Sequence, residues 1–167
     1  MCLSKLLARF KPLTLPHSEE LMNPFANMDN TDIEIVIQKW LDDWKVPEIY
    51  HDYWHDVDIM LSVRFDYPAA TFSETKEMYV RPEWANPGVL AHEAAHISYS
   101  VLDPGPKASF RTQYTECLSD RSEKLLQLLY SKNQYMKTSV VECHAEIYRF
   151  LGTKMPERLI QYYPVLL

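Results

Sequence analysis

Asn86-Pro87-Gly88-Val89-Leu90-Ala91-His92-Glu93-Ala94-Ala95-His96 is the stretch on which the reading of this chain turns. Its last five residues spell H-E-x-x-H. On a helix, residues four apart share a face, so both imidazoles point the same way. Two neutral imidazoles at that spacing can hold one Zn²⁺, and the Glu between them can take a proton from a metal-bound water. The motif must be helical for this to work. Asn86-Pro87 supplies a helix start, with an Asn cap and Pro at the first helical position. Asp103-Pro104-Gly105-Pro106 is a stop, so the spacing predicts a helix over about 87–102. Ala91, Ala94 and Ala95 suit close packing around such a helix, although any buried helix would share that property.

A catalytic zinc site keeps three protein ligands and leaves the fourth position to water. Twenty residues after His96 stands Glu116-Cys117-Leu118-Ser119-Asp120, an E-x-x-x-D pair with both carboxylates on one helical face. Glu116 would complete a His₂Glu set. Asp120 would accept the distal N–H of a ligand histidine and fix its tautomer. A second acidic cluster, Glu142, His144 and Glu146, holds an alternative third ligand. His51 and His55 form another i, i+4 pair, but no Glu lies between them, and a polar loop or helix end is the simpler reading. The extended motif H-E-x-x-H-x-x-G-x-x-H fails, because Tyr99 stands at the Gly position and Leu102 at the third His position.

H-E-x-x-H followed by E-x-x-x-D on the next helix resembles the pattern of the gluzincin metallopeptidases, the thermolysin-like class. The chain is far shorter than thermolysin-like enzymes and is more similar to the small single-domain types, the minigluzincins or the ImmA/IrrE-type peptidases. Many of the latter have Gly before the second His, where this chain has Ala95. The resemblance covers about residues 92–120 and the strand before them. It implies a zincin-like fold, one zinc ion held by His92, His96 and Glu116, Glu93 as general base, and Asp120 supporting a histidine. It also implies a donor to the oxyanion from a C-terminal helix, for which His144 and Tyr148 are the candidates here. In zincin folds an edge strand beside the metal helix pairs with extended peptide, and 77–81 is the candidate for that strand. Some small gluzincins are held inactive by their own C-terminal segment, and the apolar run 160–167 could play that part.

Working outward, Thr31-Asp32-Ile33-Glu34 is a capping box. It opens a helix with Ile33, Val36, Ile37, Trp40, Leu41 and Trp44 on one face, a core-packing pattern. Residues 57–67 alternate, with Ile59, Leu61, Val63, Phe65 and Tyr67 facing one way, as in a half-buried strand. A second strand is expected at about 75–82. The Glu116 helix is expected over 107–132. Ser139-Val140-Val141-Glu142 is another capping box, and Gly152 ends the helix it starts. The order is helix, two or three strands, then three helices. The fold class is therefore α+β: a small mixed sheet with an active-site helix and a following ligand-bearing helix.

At 167 residues the chain makes one domain, with 1–30 as a loosely packed arm. A net charge of −6 and the lack of a basic patch argue against nucleic acid. No stretch is long and apolar enough for a membrane span, and the first residues lack the features of a signal peptide. Three cysteines without a framework suit reduced thiols in a cytoplasm. The expected partner is a peptide or protein substrate; the oligomeric state is open. Zinc peptidase is the first reading. The second is a non-catalytic zinc-binding or protein-interaction domain on the same fold. Glu93 favours the first, because a structural site needs no base.

Overall fold

The computed structural model describes residues 30–62, 66–119 and 124–167. Residues 1–29 of the stretch expected as an arm over 1–30, the later part of the alternating run at 63–65, and Asp120 lie outside the described residues. Helix α1 spans Asn30–Asp43. Its apolar face is buried as its 3.6-residue spacing requires: Ile33, Val36, Ile37, Trp40 and Leu41 are all in the core, joined by Trp44 just past the helix. Each buried aliphatic side chain of this kind contributes roughly 1.5–3 kcal/mol relative to exposure. The short helix α2, His51–His55, places Trp54 edge-on to Trp40, with ring centroids 5.1 Å apart.

Three strands follow: β1 Asp58–Leu61, β2 Ala69–Phe72 and β3 Glu77–Val80. Their order is β1-β3-β2, with β3 parallel to β1 and antiparallel to β2. Ile59 lies opposite Met78 on one side, and Thr71 lies opposite Met78 on the other. Met78 and Val80 are buried, which fits a central strand. Two sequence expectations change here. The 57–67 strand stops at Leu61, and Tyr67, expected to face inward, is 70 % exposed. The strand at 77–81 is central and paired on both sides, so it has no free edge to offer a substrate. Local alternation reports which residues face the core; it carries no information on strand order.

Helix α3, Pro87–Ser100, runs against this sheet. The Asn86 side chain accepts the Val89 N–H at 3.0 Å, as expected of a cap. The helix is buried nearly all round, packed by α1, β2 and a later helix, α6 (Val140–Leu151). Ala91, Ala94 and Ala95 are fully buried and let those neighbours approach its backbone. The two prolines after Asp103 both end α3 and begin α4, Pro104–Ser119, since proline's missing N–H costs nothing in a first turn. The helix expected over 107–132 falls on α4 and α5 (Lys124–Lys132), with 120–123 between them outside the described residues. Ser139 caps α6, accepting the Glu142 N–H at 3.1 Å, and α7 (Glu157–Ile160) precedes the C-terminal residues.

Those last residues pack on the core. Tyr162, Tyr163 and Leu166 are buried. Ser98 Oγ donates to the Pro164 carbonyl at 2.7 Å, and Trp54 Nε1 donates to the Val165 carbonyl at 2.7 Å. None of residues 160–167 lines the cavity beside α3, so the tail ties elements together and does not plug a cleft. Among the described residues, no helix is long and apolar enough to cross a membrane. The architecture is α+β, mostly helical, with a small mixed sheet.

Candidate metal centre

The two motif histidines lie one turn apart on α3, with their Nε2 atoms 3.1 Å from each other. A third group reaches them from α6. Glu142 Oε2 lies 3.2 Å from His92 Nε2 and 3.7 Å from His96 Nε2. This oxygen has almost no surface open to solvent. Among the described residues, His92, His96 and Glu142 are the one set of three ligating side chains that converge. Zinc bonds to nitrogen and oxygen are about 2.0–2.2 Å, so the edges of a tetrahedral set run about 3.3–3.6 Å. The three separations are close to those edges, so the residues fit a zinc ion.

The sequence reading assigned the third position to Glu116 and the supporting position to Asp120. Glu116 sits on α4, and its side chain lies outside the described ones, as does Asp120 altogether. What the structure brings to the histidines is the acidic pair weighed as the alternative. Glu142 and Glu146 repeat the same four-residue spacing on α6. Glu142 occupies the position whose carboxylate would complete a capping box, but that carboxylate is at the histidines. Glu146 Oε1 lies 2.6 Å from His92 Nδ1, the geometry that fixes a ligand tautomer with Nε2 toward the ion. Arg149 Nη1 donates to the same oxygen at 3.1 Å, and Asn133 Nδ2 donates to Glu146 Oε2. A carboxylate on an apolar helix must be partnered in this way to be buried. Glu146 stands between Cys143, Ala145, Ile147 and Phe150, all buried on α6.

The electrostatics match a site short of positive charge. Burial works against a charge on His92, but Glu142 and Glu146 outweigh it and raise its pKa to about 9. Burial alone would raise both carboxylates; contact with His92 leads the opposing effects, and each ends below the usual range. His96 is pushed down by burial and then by the charge on His92. One cation shared by two imidazoles and two carboxylates is what the cluster accommodates.

Glu93 faces the cavity, and its Oε2 accepts a hydrogen bond from Thr71 Oγ1 on β2. Nothing local in the sequence marked Thr71. The cavity, of about 760 Å³, is lined by β2 on one side and by His92, His96 and Glu142 on the other. Tyr67, Trp84 and Tyr135 stand exposed at its lining. Tyr135 is held by the Glu142 carboxylate; partial burial and that negative charge push its pKa up to about 12, so it stays a donor.

His144 and Tyr148, the oxyanion-donor candidates, lie elsewhere. Neither lines the cavity, and both are fully buried. His144 Nε2 bonds the Tyr162 carbonyl at 2.7 Å, and its ring stacks on Tyr163 with centroids 4.0 Å apart. Burial pushes its pKa down to about 3, so the ring is neutral. Burial likewise drives the Tyr148 phenol up, and it lies by Trp40. The reason is the helical period: residues two apart lie on nearly opposite faces, so a helix that turns 142 and 146 to the metal turns 144 and 148 away. Among the described residues His51 joins no metal-ligating cluster, and its Nε2 bonds the Val46 carbonyl at 2.9 Å. His55 Nδ1 is 3.9 Å from Glu34, an exposed pair.

No protein-family model, no curated protein and no solved structure matches this chain.

Proposed function

We propose that this protein is a zinc-dependent peptidase of gluzincin type, with His92, His96 and Glu142 as the zinc ligands and Glu93 as the general base. The observation that carries the reading is the convergence of three ligand atoms, 3.1–3.7 Å apart, beside a carboxylate that faces an open cavity. A structural zinc site is normally closed and rich in Cys, whereas this set is open and has none.

Zinc at this position would supply a Lewis acid and lower the pKa of a bound water toward neutrality. Glu93 accepts the proton as water attacks the peptide carbonyl and delivers it to the leaving amine. Thr71 orients the Glu93 carboxylate by holding Oε2, which leaves the other oxygen for the water. Tyr135 is the donor best placed for the developing oxyanion, because its hydroxyl already reaches the ligand Glu142. Among the described residues, strand β2 pairs with β3 along one edge only, and its residues 69–71 line the cavity. Extended peptide can therefore add to β2 by backbone hydrogen bonds, in place of the strand at 77–81.

The test is zinc content of the purified protein together with turnover of an unfolded protein substrate. The reading expects one zinc per chain and turnover that stops on chelation and returns with zinc. One zinc with no turnover of any peptide would favour the non-catalytic alternative.

A further inference from the structure

Arg149 is the one arginine or lysine among the described residues that line the cavity. Its guanidinium is only partly used. Nη1 donates to Glu146, while Nε is buried and has no partner. The side chain keeps 20 % of its surface exposed, and a planar guanidinium has an edge that carries two parallel N–H groups. That edge matches the two oxygens of a carboxylate, and such a pair is among the stronger hydrogen-bonded contacts a protein makes.

The position suits a substrate group. Glu146 Oε1 touches both Arg149 Nη1, at 3.1 Å, and His92 Nδ1, at 2.6 Å. Arg149 is thus two contacts from a metal ligand, and extended peptide advances about 3.3–3.6 Å per residue. A group two or three residues from the scissile bond can reach it. His92 meets Glu146 and His96 meets Glu142, so α3 and α6 run antiparallel. One turn beyond the site, Val89 and Arg149 therefore stand at the same end of the cavity, with an apolar wall beside a cationic one. Charge also permits an anion there. A bound divalent cation with Arg149 balances Glu93, Glu142 and Glu146.

We propose that Arg149 recognises a carboxylate on the peptide and so determines specificity, selecting substrates with a C-terminal carboxylate or an acidic side chain on one side of the cleaved bond. This rests on the peptidase reading. The experiment uses binding, so that the two can fail separately. Zinc-saturated E93Q protein is titrated by calorimetry with three peptides: acetyl-Ala-Ala-Phe-Ala as the free acid, the same peptide as the C-terminal amide, and acetyl-Ala-Ala-Phe-Glu amide. The free acid, the Glu amide or both should bind about tenfold or more tighter than the plain amide. Which one does so tells the terminal carboxylate from the side chain. Adding R149Q should bring the ratio to about one, and R149K, which keeps the charge without the fork, should leave it between. Equal affinity for all three, no binding of any, or a preference that survives R149Q overturns the proposal. An Arg149-dependent preference, in a protein whose wild type turns over neither these peptides nor an unfolded protein substrate, upholds it and tells against the peptidase reading instead.

Discussion

Glu146 Oε1 and His92 Nδ1 lie 2.6 Å apart, and the contact sits in an almost fully buried setting. It orients the imidazole so that Nε2 points at His96 and Glu142. Arg149 and Asn133 in turn hold both Glu146 oxygens. Glu146→Gln should therefore leave His92 without its orienting charge. Zinc affinity should fall about 10–100-fold with the fold retained, as measured by competition with a chromophoric chelator. Unchanged affinity would mean that His92 is oriented by something else.

Glu142 and Glu116 compete for the third ligand position, and two variants separate them. Glu142→Gln should lose more zinc affinity than the loss at Glu146, because a ligand is removed and not only its support. Glu116→Gln should bind zinc like the parent protein. The opposite ranking would return the third position to α4.

Glu93→Gln should keep zinc bound and lower turnover by about 10²–10⁴, the usual contribution of a general base. Thr71→Val removes the hydroxyl that holds Glu93 Oε2 and should lower turnover less, with zinc content unchanged. Full activity in the Glu93→Gln variant would remove Glu93 from the mechanism.

His144 predicts an acid sensitivity independent of zinc. Its folded pKa, about 3, lies below the ordinary 6.5. The unfolded chain then takes up a proton that the native core refuses. Stability is fully present above pH 6.5 and falls as pH drops from there toward 3, at up to about 1 kcal/mol per pH unit from this group. His92 acts in the opposite sense: with its pKa raised to about 9, its contribution is complete below pH 6.5 and adds no slope there. Urea unfolding of zinc-free protein at pH 6 and pH 5 should show the loss, and His144→Gln should show a smaller one. Equal losses would place the acid sensitivity in other groups.

The parts of the fold set by local chemistry were legible before the structure. The apolar face of α1, the Asn86 cap and proline start of α3, and the Ser139 cap of α6 all follow from residue type and spacing. What was not legible depends on which elements meet. E-x-x-x-D at 116–120 and E-x-x-x-E at 142–146 offer the same spacing, and spacing does not say which helix packs on α3. The choice is made by packing, with α6 lying against α3 and carrying Glu142 to the histidines. The same holds for Thr71, 22 residues from Glu93 and joined to it only when β2 takes the sheet edge. His144 and Tyr148 share α6 with Glu142 but lie buried on the face turned from the cavity, and the capping box that starts α6 does not fix which face meets α3.

The central claim is that one zinc ion sits between α3 and α6. Crystals of zinc-loaded protein, measured on both sides of the zinc absorption edge, test it most directly. The account predicts a single anomalous peak about 2.0–2.2 Å from His92 Nε2, His96 Nε2 and a Glu142 carboxylate oxygen, with a fourth position open to the cavity. A peak held by Glu116 in place of Glu142, or none at the two histidines, would contradict it.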